Sequence, residues 1–181
     1  MRIIGGRLRG RKLAVPKSQD IRPTTDRVRE SLFNILEHNY PGCLDRTRVL
    51  DVFAGTGALG IEALSRGATH ALFIENGTEA QGLLRQNIEA FDLAGNICVF
   101  KCDATKPAVC HPNLPFDLVF ADPPYGRGLG VKALEALTEQ GWLADEALII
   151  LEEDKAALPE NIDGFTALER RDFGGTSIGI Y

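Results

Sequence analysis

At 181 residues, with 44% apolar and 25% charged side chains, the chain suits one soluble globular domain with a sizeable core. No apolar run nears the roughly 20 residues that cross a bilayer, and the basic start lacks the apolar stretch of a secretion signal, so no membrane association is expected and the cytosol is the expected compartment. The net charge of −5 is unevenly spread: Met1 to Arg29 holds nine Lys and Arg against two Asp, a basic arm on an acidic body that reads as a localised polyanion contact.

Arg2-Ile3-Ile4-Gly5-Gly6 and Lys12-Leu13-Ala14-Val15 are strand-like pieces around Arg7-Leu8-Arg9-Gly10-Arg11, a predicted hairpin with an arginine-rich tip. Arg7, Arg9 and Arg11 offer forked donors that suit phosphate. A loop through Arg22 leads to a helix predicted from Thr24 or Thr25 to about His38, with Val28, Leu32, Ile35 and Leu36 on one face. Two roles stay open for Arg22, Arg27 and Arg29: contact with substrate phosphate, or local ion pairs with Asp26 and Glu30.

Arg48 to Ala68 is the stretch around which the rest of the chain is organised. Val49, Leu50, Val52 and Phe53 predict a strand buried on both faces, Ala54-Gly55-Thr56-Gly57 breaks it, and Leu59, Ile61 and Leu64 begin a helix that Gly67 caps. Such a strand, turn and helix aim backbone N–H groups and a positive helix end at a nucleotide-type cofactor. The Gly55-x-Gly57-x-x-Gly60 spacing also fits a dinucleotide, with Glu75 about twenty residues on as the ribose acid. Asp51 weighs against that choice, because its carboxylate just before the turn would repel a pyrophosphate. A cationic cofactor without phosphate, S-adenosylmethionine, removes the conflict. The alternative for Asp51 is a carboxylate satisfied by turn N–H groups.

Ala71 to Ile74 predicts a second strand delivering Glu75 and Asn76 to the ribose and ring of an adenosine. Thr78 to Phe91 reads as a helix in which Asn87 is a cap or surface polar group. A third strand, Ile97 to Phe100, brings Asp103, with Ala104 beside it, either to the cofactor edge or to the cap of a short helix near Thr105. Phe116 to Ala121 then presents Asp122-Pro123-Pro124-Tyr125. Each residue before a proline is pushed towards extended backbone and neither proline has an N–H, so the Asp122 carboxylate and the Pro123 carbonyl form two acceptors suited to a planar amine, with Tyr125 placed to stack on a base.

Gly126-Arg127-Gly128-Leu129-Gly130 reads as a mobile loop in which Arg127 either contacts substrate or merely links elements. A helix through Val131, Leu134 and Leu137, a core Trp142, a central strand Ala147 to Leu151 and a terminal hairpin complete the chain, with Glu152-Glu153-Asp154 expected in solvent. Cys43, Cys98, Cys102 and Cys110 form no C-x-x-C pair, and Cys110-His111 alone makes no zinc site, so reduced thiols and no metal are expected.

Asp51-Val52-Phe53-Ala54-Gly55-Thr56-Gly57 resembles the first motif of class I S-adenosylmethionine-dependent methyltransferases, and Asp122-Pro123-Pro124-Tyr125 resembles their amino-methylating motif. Arg22-Pro23-Thr24-Thr25-Asp26-Arg27-Val28-Arg29-Glu30, joined to Leu32-Phe33-Asn34-Ile35-Leu36, is similar to the opening signature of the bacterial 16S rRNA guanine-N2 methyltransferase family. The resemblance implies an α/β doubly wound, mostly parallel sheet with an antiparallel strand near the C-terminus, and a monomer is expected. It implies methylation of a guanine N2 amine in 16S rRNA, free or in the small-subunit particle, with S-adenosylmethionine as donor. On this reading residues 1–40 are an RNA-binding extension and residues 41–181 the catalytic domain. Ala54, Gly55, Thr56 and Gly57 would join Asp51, Glu75, Asn76, Asp103 and Ala104 around the cofactor. Adenine-N6 methylation, an NAD-dependent oxidoreductase and an RNA-binding assembly factor stay open beside it.

Overall fold

The computed structural model describes residues 1–16, 25–109 and 115–181; Arg22, Cys110 and His111 lie outside the described residues. One sheet contains β1 (Arg48–Val52), β2 (His70–Ile74), β3 (Ile97–Phe100), β4 (Phe116–Ala121), β5 (Leu143–Asp154), β6 (Glu169–Phe173) and β7 (Thr176–Ile180). The order across it is β3-β2-β1-β4-β5-β7-β6. Neighbours among the first five strands are parallel, and β7 runs antiparallel to both β5 and β6. This is the expected doubly wound α/β sheet. Its order reverses between β1 and β4, so a crevice opens at their carboxyl ends.

The period-two pattern of β1 feeds two cores. Val49 packs with Phe33, Ile61, Phe73, Leu84 and Phe120 on one face, while Leu50 and Val52 pack with Leu72, Val119, Leu134 and Trp142 on the other. Helices α1 (Asp26–Asn39), α2 (Ala58–Arg66), α3 (Thr78–Ala90) and α4 (Leu129–Glu139) cover the sheet. Helix α1 starts at Thr25, whose side chain accepts from Val28 N at 3.3 Å as an N-cap. Among the described residues no helix is long and apolar enough to cross a membrane, and no cluster of metal-ligating side chains occurs.

The predicted N-terminal hairpin is present in reduced form. Ile3 N donates to Arg11 O at 2.9 Å and Gly10 N to Ile3 O at 2.8 Å, but among the described residues a single isolated bridge, Arg2 to Lys12, joins its arms. Residues Gly6–Leu8 make a 3-10 turn because Leu8 is drawn into the core, which leaves too little chain for a ladder. This arm is docked on α2. Ile4 N and Gly5 N donate to the fully buried Glu62 at 2.8 and 2.7 Å, and Leu8 N donates to Ser65 Oγ at 2.9 Å. Gly6, at φ +68°, has no space for a side chain: a Cβ would lie 1.9 Å from Ser65 O.

Candidate active site

Beyond β1 the backbone turns sharply. Phe53 takes φ +62° and Gly55 φ +56°, and Gly57, at φ +77°, caps α2 without a side-chain hydrogen bond. A left-handed Phe is strained by about 1–3 kcal/mol, a kind of strain that clusters at ligand sites. Gly57 is obligatory twice over, since a Cβ there would meet Leu84 Cδ1 at 2.4 Å. The turn borders a cavity of about 500 Å³ at the carboxyl ends of β1, β2 and β4.

Asp51, Ala54, Gly55, Thr56, Glu75 and Asn76 line this cavity from one side, and Asp122, Pro123 and Tyr125 from the other. Asp51 lies 2% exposed and accepts from Gly60 N at 2.8 Å through Oδ2. The turn-capping alternative for Asp51 is thus realised, and the residue also borders the cavity. Burial pushes its carboxyl well above the usual range, against the Gly60 hydrogen bond, and the charges of Asp122 and Glu75 push the same way. Glu75 accepts from Gly55 N at 2.8 Å and from Gly77 N at 2.6 Å, which fixes its carboxylate at the turn.

The remaining cofactor candidates lie apart from the cavity. Gly57 supports the turn from behind, and Ala104 packs in the second core. Asp103 is exposed and accepts from Thr105 N and Thr105 Oγ1 at 2.9 and 2.8 Å, so it closes a local turn rather than capping the expected short helix, and its carboxylate is held below the usual range by those bonds.

At the other wall, Asp122 N donates to Val52 O at 3.4 Å, tying the proline segment to β1. Pro123 is buried, and α4 packs close against it: a Cβ on Gly130 would lie 3.2 Å from Pro123 Cγ. Tyr125 is half-buried and its hydroxyl donates to Glu152 Oε1 at 2.8 Å. Its phenol is pushed up by burial and by the charges of Asp122 and Glu152. Glu153 accepts from Gly126 N at 2.8 Å. The expectation of a solvated acidic run is thus corrected: Glu152 and Glu153 are 6% and 3% exposed, because β7 covers them and the tyrosine loop folds over them.

The arginines divide by burial. Arg7, Arg9, Arg11, Arg27 and Arg127 are exposed. Arg11 is also engaged with the body, bonding Ala90 O and lying 4.5 Å above the Phe91 ring centroid. Arg29 is fully buried and pairs with Asp26 at 3.0 Å while donating to Arg2 O, so the phosphate role is corrected and the local ion pair is the one realised.

Several contributors leave no mark in the sequence pattern. Phe53, Thr78, Glu79 and Ala80 line the cavity, the last three at the start of α3. Asn87, expected as a cap or surface group, is instead 2% exposed and hydrogen-bonded to the turn. The resulting cavity is lined by four acidic residues, Asp51, Glu75, Glu79 and Asp122, and among the described residues no Lys, Arg or His lines it. Such a wall disfavours phosphates and suits a cationic ligand.

A family model described as conserved hypothetical protein 95 matches residues 1–181. The ribosomal RNA small subunit methyltransferase D of Escherichia coli is 47% identical over 154 residues, 85% of this chain and 75% of that protein. The protein of the same name from Haemophilus influenzae is 37% identical over 188 residues, 100% of this chain and 93% of that protein. The solved structure of yhhF from Escherichia coli superposes with a TM-score of 0.84 at 40% identity, covering 100% of this chain and 96% of its own.

Proposed function

Given that the chain belongs to the conserved hypothetical protein 95 family, the family of ribosomal RNA small subunit methyltransferase D, we propose that its acidic crevice methylates the N2 amine of a guanine in 16S rRNA. The chain is an rRNA methyltransferase, and S-adenosylmethionine is the donor its cavity suits. The observation that carries the reading is the union, in one crevice without a lining cation among the described residues, of the Gly55 turn with Asp122 and Pro123. The same feature disfavours a dinucleotide and hydride chemistry.

The donor, when bound, supplies an electrophilic methyl group on a positively charged sulfur. Ala54, Gly55, Thr56, Glu75 and Asn76 are the residues we assign to its adenosine end, and Asp51 to its cationic end. Asp122 and the Pro123 carbonyl accept the two hydrogens of the target amine. That amine is a poor nucleophile because its lone pair is delocalised into the base; two fixed acceptors favour pyramidal nitrogen and orient the lone pair, so the gain is orientation and electrostatic preorganisation. Asp122 is the group placed to take the released proton. Tyr125, with its hydroxyl anchored on Glu152, offers a ring for the unstacked base. Arg7, Arg9, Arg11, Arg27 and Arg127 are assigned to RNA phosphate, and Arg22 is kept as a proposal outside the described residues.

The test is to map methylated nucleotides by mass in small-subunit RNA from cells lacking this protein, before and after the chain is restored. One missing guanine methyl group that returns with the native chain and not with Asp122→Ala is expected. An unchanged methylation map would overturn the reading. Titration of the protein with S-adenosylhomocysteine and with NADH adds a direct comparison, in which only the former is expected to bind.

A further inference from the structure

Asn87 on α3 is a buried polar side chain that the methyl-transfer reading leaves unused. Its Oδ1 accepts from Ala14 N at 2.7 Å, and its Nδ2 donates to Thr56 O at 2.9 Å and reaches Ala14 O at 3.5 Å. The orientation of the amide is dictated by its partners, because a main-chain N–H must meet the oxygen and a carbonyl the nitrogen. A single carboxamide therefore joins the end of the basic arm to the middle of the glycine turn.

Both attachments are stiff. Thr56 is 4% exposed and stands between Gly55, whose N–H is held by Glu75 at 2.8 Å, and Gly57, which lacks room for a Cβ. On the arm side, Arg11 grips the end of α3 through Ala90 O and the Phe91 ring, while Glu62 and Ser65 hold residues 4–8 on α2. A shift of the arm at Ala14 must carry Asn87 with it or leave buried polar groups unpaired, including Thr56 O.

We propose that Asn87 is a positioning residue coupling the RNA-contacting arm to the cofactor turn, so that RNA and cofactor raise each other's affinity. The proposal rests on the proposed function, which puts the cofactor at Gly55 and RNA at the arm. A ligand that holds the arm in its docked position stabilises the turn through this amide, and linkage makes the effect mutual.

Calorimetric titration of the full chain with S-adenosylhomocysteine, alone and with a saturating unmethylated 16S rRNA transcript, reads the coupling as a ratio of two affinities. Tightening of about five-fold or more is expected for the native chain. The ratio is expected to fall to about one in Asn87→Asp, which keeps an acceptor for Ala14 N but loses the donor to Thr56 O, and in Asn87→Ala, which loses both. Melting is measured for each variant, and Asn87→Asp carries the test if Asn87→Ala does not fold. A merely structural role would lower melting and the separate affinities while leaving the ratio at its native value, and that result overturns the proposal. A native chain whose two affinities are equal overturns it as well. Failure to bind S-adenosylhomocysteine or the transcript even separately would remove the functional reading and this coupling with it.

Discussion

Tyr125 and Glu152 are joined by a 2.8 Å hydrogen bond between the phenol and a carboxylate that is 6% exposed, so the ring at the cavity wall is aimed by a residue behind it. Replacing Glu152 by Gln preserves an oxygen acceptor, whereas Glu152→Ala leaves the phenol only its contact with Asp122. Single-turnover methyl transfer should be close to native in Glu152→Gln and about ten-fold slower in Glu152→Ala, the effect of one lost hydrogen bond of about 1–1.5 kcal/mol. Tyr125→Phe, which loses the contact with Asp122 as well, should be at least as slow as Glu152→Ala; a native rate in both would show that the contact does not aim the ring.

Asp122 faces the same cavity as the Gly55 turn, and its proposed work begins only when the amine reacts. Asp122→Ala should lower kcat by about 100-fold or more, as for loss of one preorganised polar partner. Affinity for S-adenosylhomocysteine should change far less. Equal losses in kcat and cofactor affinity would instead make Asp122 a binding group.

Asp51 gives a pH-dependent prediction. Its folded-state carboxyl is raised, chiefly by desolvation, so the folded protein holds a proton that the unfolded chain releases near the ordinary Asp value. Between the unfolded and the raised folded pKa the native state binds more protons, and this group's contribution to stability therefore falls as pH rises through that window. Asp51→Asn, which keeps an oxygen acceptor for Gly60 N, should remove that slope and raise the melting temperature of the ligand-free protein above the window. It should also weaken S-adenosylmethionine binding. Thermal melts across pH, paired with calorimetry, check both; a variant melting below the native chain above the window would contradict the desolvation account.

Arg29 and the tip arginines should separate stability from RNA affinity. Arg29→Ala removes a fully buried guanidinium from Asp26 and Arg2 O, and roughly 2–4 kcal/mol of stability should be lost in urea unfolding. Arg7→Ala and Arg9→Ala, at exposed positions, should leave unfolding within about 0.5 kcal/mol of native. Each should weaken RNA retention and lower the salt dependence by roughly 0.7–0.9 in the log–log slope. Unchanged salt dependence in both would remove the arm from the RNA contact.

Legibility in the sequence was local. Glu75 and Asp122 each end an apolar run at a turn and Asp51 interrupts one just before its turn, and parallel strands bring such positions to one edge whatever else the chain does. Glu152 has the same signature, an acid closing an apolar strand, yet a run of three acids also looks like a solvated strand end. Its burial depends on Ile178 of β7, which lies opposite it, and on Tyr125, partners distant in sequence. Arg29 and Asn87 are hidden for a related reason: their partners, Arg2 O, Ala14 N and Thr56 O, are main-chain groups, which leave no trace in residue identity. The left-handed Phe53 is hidden as well, since an aromatic residue at the end of an apolar run looks like one more strand residue. At Asp103, a local turn in which its carboxylate accepts from Thr105 won over the reach to the cavity.

The position of β7 has a consequence for biosynthesis. It is the strand made after β6, yet it is inserted between β5 and β6. A nascent chain stopped before Thr176 exposes two open strand edges, a state prone to aggregation and proteolysis. Glu152 and Glu153, opposite Ile178 and Ser177, would also lose the cover that keeps them dry. The inner edges of β5 and β6 are therefore closed by one strand, and order at both waits on β7.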